Sequence, residues 1–457
     1  MRTRRPGRAK ERRAEASLED RIRAGLRRGD LDEVRDRLLA RSLPEQVALL
    51  ERLAPADRAV VYRLLPRGRA FEVFTRLDAP LQRELLEALQ EEEVRGVVDD
   101  LDPDDRVRLL DELPATVARR LLAGLTPQEQ DATGLVMGYP TGSVGRLMSP
   151  ELVVLDAAAT AAQARDTVRS RLETAETVYM LPVVTAGRLT GVVGLRRLLA
   201  ADDDVPVAAL AREPVAVDAR VPAEEAARLC AREKLVALPV VDGDRRPVGV
   251  FTFDDALDVL EAAEDEDVAR SGGAEPLGRP YLSTPVRAVY RARIVWLLVL
   301  GVGATLTVRV LEAFEATLEQ MVVLSVFIPL LIGTGGNTGN QAATTVTRAL
   351  ALGDVRVRDG ARVALRELRT GALLGASLGT AGLVGVGLLY GWDVGVVIGL
   401  TLLVVCSLAA TVGGLMPVLA RALRVDPAVF SNPFITTFVD ASGLVVYFLV
   451  AAAVLGL

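Results

Sequence analysis

At 457 residues the chain is too long for one ordinary domain. Residues 1–290 are rich in Arg, Asp and Glu, whereas residues 294–457 hold long runs of Leu, Val, Gly and Ala. It has no histidine, which excludes His-based acid–base catalysis, catalytic triads and His-ligated zinc or iron. With 60 acidic against 54 basic residues, the plentiful ligands are oxygens suited to hard cations; the 2 cysteines, Cys230 and Cys406, fall in different halves and imply no disulfide framework.

The first segment, 1–30, is basic without a following apolar run, so it reads as a solvated, disordered tail; neither a signal peptide nor a nucleic-acid arm is expected. Leucine then recurs every 12 residues, at Leu53, Leu65, Leu77, Leu89, Leu101, Leu113 and Leu125, often followed at once by Pro, Asp or Thr. Short apolar helices broken at such turns stack into an all-α superhelical domain, expected over 31–135.

A duplication follows. Residues 178–199 and 236–257 both carry an L-P-V-V strand, a polar turn, a G-V-V or G-V-F strand and a helix start. Each is preceded by an entry strand (152–155 and 214–217) and an apolar-periodic helix. The repeated β-α-β-β-α unit resembles a pair of CBS modules, placed at 140–203 and 204–268. In the second copy Thr252 and Asp255 resemble that family's nucleotide-contacting threonine and aspartate; the first copy has Gly194 and Arg197 there, so an ATP site is at most single.

A linker and connecting (plug) helix are expected over 269–292, the helix itself over about 278–292, and then a membrane domain over 293–457. Five spans are read: 293–312, 321–349, 368–390, 395–422 and 434–456. Arg348, Arg356, Arg358, Arg362, Arg366 and Arg369 crowd the second–third loop, and Arg421 and Arg424 precede the fifth span. The opposite connections carry Glu312, Glu315 and Glu319, or no basic residue, which puts the N-terminal domains in the cytoplasm and the C-terminus outside.

Residues 329–341 read P-L-L-I-G-T-G-G-N-T-G-N-Q, a costly composition for a lipid-facing helix. Gly333, Gly336, Asn340 and Thr344 recur at helical spacing along one face. Gly335 and Gly339 also make a helix-packing G-x-x-x-G, but packing alone does not explain Asn337, Asn340 and Gln341. In the fifth span Asp440 is the one ionised residue, with Thr436 and Gly443 on its face. A carboxylate there costs about 2.5–3.5 kcal/mol, which a cation partner resolves. Two copies across a two-fold axis would repel unless a divalent cation lay between them, and a sparse oxygen site suits a largely hydrated magnesium ion.

These motifs in this order, with the V-D-P-A-V-F-S-N-P run before Asp440, resemble the MgtE family of magnesium channels over about residues 30–457. The resemblance implies a homodimer in the plasma membrane, with a central pore lined by Gly333, Gly336, Asn340, Thr344, Thr436 (through its carbonyl) and Gly443, and with Asp440 holding Mg2+. It also implies that Asp426 ties the pore to the connecting helix and that cytosolic Mg2+ closes the channel. The acids read as sensor ligands are Asp242, Asp254, Asp255, Asp258, Glu261 and Glu264; packed together they repel unless divalent cations screen them. A CBS-regulated transporter of another solute, such as Co2+, Mn2+ or an anion, and a membrane-anchored cation sensor are the other readings; no nucleophile–base constellation suggests an enzyme.

Overall fold

The computed structural model describes residues 7–89, 97–98, 101–277, 280–281, 284–423 and 432–456. The chain forms two compact units, one of Met1–Ala263 with Gly278–Thr284 and the other of Glu264–Leu277 with Pro285–Leu457.

The first unit opens with short helices: Leu31–Leu39, Leu43–Arg52, Pro55–Arg63, Arg67–Phe74, Ala79–Ala88, Pro103–Glu112, Ala115–Gly124 and Pro127–Met137. Proline in the first turn starts many of them, where its missing N–H costs nothing. The leucines of the 12-residue repeat turn inward; Leu53, Leu65, Leu77, Leu101, Leu113 and Leu125 are all buried. The tail expected to be disordered instead forms a helix, Gly7–Arg28, whose Leu18 and Ile22 are buried one turn apart on one face.

A second element sits five residues after Leu53, Leu77, Leu101 and Leu125, and after Arg41 in the same register, where a long polar side chain reaches back to the end of the preceding helix. Gln46 donates to the carbonyls of Leu38 and Arg41 (2.9 and 3.1 Å), and Gln82 donates to that of Phe74 (2.8 Å). Arg58 reaches Leu50 and Leu53 (2.8 and 2.9 Å), and Arg106 reaches Val98 and Leu101 (3.0 and 2.7 Å). Gln130 completes the series on Leu125 at 2.9 Å. Helix C-termini leave carbonyls short of internal partners; those of Leu38, Leu50, Phe74 and Val98 keep one backbone N–H at 3.1 to 3.4 Å, and the clamps supply a further donor where the helices stack.

Two three-stranded sheets follow, in the order β1-β2-β3 and β4-β5-β6. The first is β1 (Leu155–Asp156), β2 (Met180–Thr185) and β3 (Arg188–Gly194); the second is β4 (Val217–Asp218), β5 (Ala237–Val241) and β6 (Pro247–Thr252). In each the first pair is parallel and the second antiparallel, with a register shift at Val183/Val184 and again at Val240/Val241. The entry strands are shorter and later than the sequence suggests, because only their last residues find a ladder partner. Arg146 joins the helical domain to this pair through a two-pronged contact with Asp111 (2.6 and 3.1 Å).

The second unit holds five long helices among the described residues: Val286–Ala313, Val323–Ala351, Gly360–Tyr390, Trp392–Ala422 and Asn432–Leu455. Five spans were expected; among the described residues four helices are long and apolar enough to cross a membrane, and Val323–Ala351 is not one of them. Its 29 residues suffice in length, but its glycines and amides dilute the hydropathy. Residues 286–292, assigned to a separate connecting helix, run without a break into the first long helix, since no Gly or Pro interrupts Val286–Ala313 before Gly301.

Helices Gly360–Tyr390 and Trp392–Ala422 meet along a glycine seam. A Cβ on Gly371, Gly375 or Gly379 would stand 2.5 to 2.8 Å from backbone atoms of Cys406, Leu403 and Gly399. Only glycine permits so close an approach.

Candidate functional site

The polar run of helix Val323–Ala351 divides between two faces. Gly335 and Gly339 are the packing face: a Cβ on Gly335 would stand 2.8 Å from Val405 and Val439, and one on Gly339 2.8 Å from Ile435. Gly333, Asn337, Gln341 and Thr344 lie on the opposite, exposed side. Between the two, Gly336 leaves room for Thr436, whose methyl would lie 3.3 Å from an added Cβ. Asn340 then donates from Nδ2 to Thr436 Oγ1 at 3.2 Å, bridging the second and fifth long helices.

One turn beyond Thr436, Asp440 carries a buried carboxylate oxygen, Oδ1, with no hydrogen-bond partner among the described residues. Gly336, Asn340, Thr436 and Asp440 thus line adjoining stretches of one helix pair. Gly333 and Thr344 extend the stripe in both directions on its exposed side. Gly443 instead faces helix Trp392–Ala422, where a Cβ would meet Val405 at 3.6 Å. Asp426 lies outside the described residues.

The first unit contains an acidic cleft of about 30 Å³ lined by Asp104, Asp105, Arg108, Leu147, Asp255, Asp258 and Val259. Helix Pro103–Glu112 supplies the first three, and helix Phe253–Ser271, which leaves the second β-α-β-β-α unit, supplies three of the rest. Arg108 pairs with Asp105 at 2.6 Å and reaches Asp258 at 4.0 Å. Asp104 is buried, its Oδ1 has no partner among the described residues, and burial followed by the charges of Asp255, Asp105 and Glu176 holds its carboxyl well above the usual range.

The neighbours respond in the same direction. Burial, then the Asp102 and Asp255 charges, push Glu176 up to about 7. Burial raises Asp255 to about 6, against the opposing hydrogen bond from Thr252 Oγ1 at 2.5 Å. Burial also raises Asp105 and Asp258, with Arg108 acting against it in both. Among the described residues no three acids converge tightly enough to form a finished metal cage. The cleft is therefore a set of carboxylates crowded past comfort, with one guanidinium among them.

Of the remaining predicted acids, Asp254, Glu261 and Glu264 are exposed along helix Phe253–Ser271. Asp242 is occupied locally, accepting the backbone amides of Asp244 and Arg246 (3.0 and 2.8 Å) in the β5–β6 turn. The cleft adds Asp104 and Asp105, visible in the sequence as an acidic run but not assigned as sensor ligands, and Arg108; Glu176 lies near enough for its charge to add to the burial that raises Asp104. Glu176 is a lone acid in a loop and gives no signal.

A polytopic protein with a CBS pair, an acidic cleft and a membrane carboxylate beside amide and hydroxyl groups belongs to the class of cation transporters. Residues 328–450 match the divalent cation transporter family MgtE, residues 42–142 the MgtE intracellular N domain, and residues 144–204 and 207–262 the CBS domain. The chain belongs to the MgtE family. It is 36% identical to the magnesium transporter MgtE of Thermus thermophilus over 95% of this chain and 98% of that one. The magnesium transporter MgtE of Bacillus subtilis is 28% identical, over 89% and 93%. Among solved structures, the cytosolic domain of the Mg2+ channel MgtE in complex with ATP aligns with 52% of this chain and 98% of that one, at 33% identity and a TM-score of 0.48.

Proposed function

We propose that this protein is a magnesium channel that admits Mg2+ to the cytoplasm and is closed by cytosolic Mg2+. The observation that carries the pore assignment is Asp440, a carboxylate with a buried oxygen that has no partner among the described residues, one turn from the Asn340–Thr436 bridge. An isolated charge at such a place is expensive, and a passing hydrated cation offsets that cost. The exposed stripe of Gly333, Asn337, Gln341 and Thr344 favours a second copy of the chain across it, so that a homodimer in the plasma membrane encloses the path. Gln341 and Asn337 then offer oxygens to the water around the ion, leaving Asp440 to attract it.

Gating follows from the cleft. Asp104, Asp105, Asp255 and Asp258 repel one another, so packing of the helical domain against the CBS pair is favoured when divalent cations screen them. Falling cytosolic Mg2+ removes the screen and loosens that packing. Thr252 and Asp255, hydrogen-bonded at the start of helix Phe253–Ser271, are the residues the CBS resemblance proposes for contact with an adenine nucleotide such as ATP. The N-terminal domains lie in the cytoplasm and the C-terminus outside, as the arginine distribution requires.

The test is Mg2+ uptake into proteoliposomes by wild type and Asp440→Ala. Uptake by wild type and its loss in the variant are expected; equal uptake would remove Asp440 from the pore, and no uptake by either would favour a membrane-anchored sensor.

A further inference from the structure

We infer that Glu275 and Trp296 are positioning residues for the helix that carries Asp440, acting as the joint between the chain leaving the CBS pair and the pore. The inference rests on the gating reading above and names the part that reading leaves open, namely how the cytosolic state reaches the pore helix. Helix Phe253–Ser271 stops at Gly272 and Gly273, the latter in the left-handed region at φ +68°. The strand of chain beyond it lies on helix Val286–Ala313 and grips two successive turns. The Glu275 amide donates to the Ala292 carbonyl at 2.9 Å, and its Oε1 accepts from Trp296 Nε1 at 2.9 Å.

Trp296 is itself buried, and its ring meets that of Phe434 edge to face, with centroids 6.1 Å apart at 72°. A second contact arrives independently. A Cβ on Gly273 would stand 3.0 Å from Pro433 Cγ, so the glycine is seated directly on the first turn of helix Asn432–Leu455. Pro433 and Phe434 are therefore held from two sides. Thr436 and Asp440 follow on the same helix, roughly one and two turns further on. Ordinary packing accounts for a tryptophan against a phenylalanine. It does not account for a carboxylate spent on the indole N–H at the point where the chain from the CBS pair arrives.

The experiment uses full-length protein in proteoliposomes, with two readouts on the same preparations: Mg2+ protection of the soluble half from protease, and Mg2+ flux. Trp296→Phe keeps the ring and loses the donor; Glu275→Ala loses the acceptor; Glu275→Gln keeps an acceptor oxygen. Trp296→Phe and Glu275→Ala are expected to sense Mg2+ at the wild-type midpoint, yet to leak at closing Mg2+ by roughly tenfold or more, the shift one charge-assisted hydrogen bond supports. Glu275→Gln is expected to close as wild type does. Normal closure in Trp296→Phe and Glu275→Ala would overturn the joint, as would a shifted protease midpoint in both, which marks a merely structural role. Failure of Glu275→Gln to rescue would overturn the hydrogen bond as its basis. If wild-type protection ignores Mg2+, the sensing reading falls and the joint with it; if only closure in the variants is intact, the joint falls alone.

Discussion

Arg58 offers a quantitative test of how the helical domain holds together. Its side chain is 2% exposed, and it satisfies the Leu50 and Leu53 carbonyls and pairs with Glu84 at 2.9 Å. Arg58→Ala strands the buried Leu53 carbonyl, at about 1–3 kcal/mol, whereas that of Leu50 still accepts the Leu53 N–H at 3.3 Å. Glu84 is 26% exposed and can turn to water, so losing that pair adds little. The total is about 1–3 kcal/mol, borne locally by helices Leu43–Arg52 and Pro55–Arg63. Arg58→Gln should cost about half as much, because Gln46 and Gln82 show that glutamine at this register still reaches the carbonyl eight residues back. Amide exchange by mass spectrometry on the full-length protein reads this directly. At about 3 kcal/mol, exchange from those two helices should quicken roughly a hundredfold. A change below about 1 kcal/mol, or a glutamine variant as damaged as the alanine one, would refute the clamp.

Two further outcomes are expected. The folded-state pKa values of Glu176 and Asp255 lie above their unfolded values of 4.5 and 3.8, at about 7 and about 6, so the folded state binds more protons across that window. Stability of the first unit without Mg2+ should therefore fall as pH rises from about 4 to about 7, and protease resistance should be greater at about pH 5 than at about pH 8. Resistance that is flat, or that grows with pH, would contradict the crowded cleft. In the membrane unit, a Cβ on Gly413 would overlap the Gly339 carbonyl oxygen, so Gly413→Ala should force the second and fourth long helices apart at a cost of about 1–3 kcal/mol. Thermal unfolding in detergent at the wild-type temperature would argue against that close approach.

Much of this architecture is legible in the sequence, because its signals are periodic. The leucines at 12-residue spacing mark the superhelix, and two L-P-V-V strands mark the duplicated sheets. What stays hidden is mixed in chemistry. The clamp is Gln or Arg in five repeats and Ala or Val stands at the same position in the others, so no single residue type marks it, although it keeps the register of the leucines. The helix Gly7–Arg28 is masked by its own charge, since Leu18 and Ile22 are a thin stripe among arginines. The connecting segment 286–292 was separated from the first span by its arginines, yet charge does not end a helix where no Gly or Pro does. At the site, Asn340 and Asp440 stand out as polar residues in apolar runs. The bond from Asn340 to Thr436 joins positions 96 residues apart, which one sequence cannot pair.

The glycine seam between helices Gly360–Tyr390 and Trp392–Ala422 has a mechanical consequence. Backbones in direct contact leave no flexible side chains between them to absorb a displacement, so the two helices move as one stiff plank. They form a stator. Any stroke that widens or narrows an ion path in this unit then falls on helices outside such backbone contacts, since Gly413 also seats helix Val323–Ala351 directly on this plank. Helix Val286–Ala313 meets Asn432–Leu455 where Gly303 seats Thr437, with an added Cβ only 2.9 Å from its methyl. If these helices shift against each other as an ion path opens, that contact sets their travel. A bulkier residue there would jam it while leaving the frame intact.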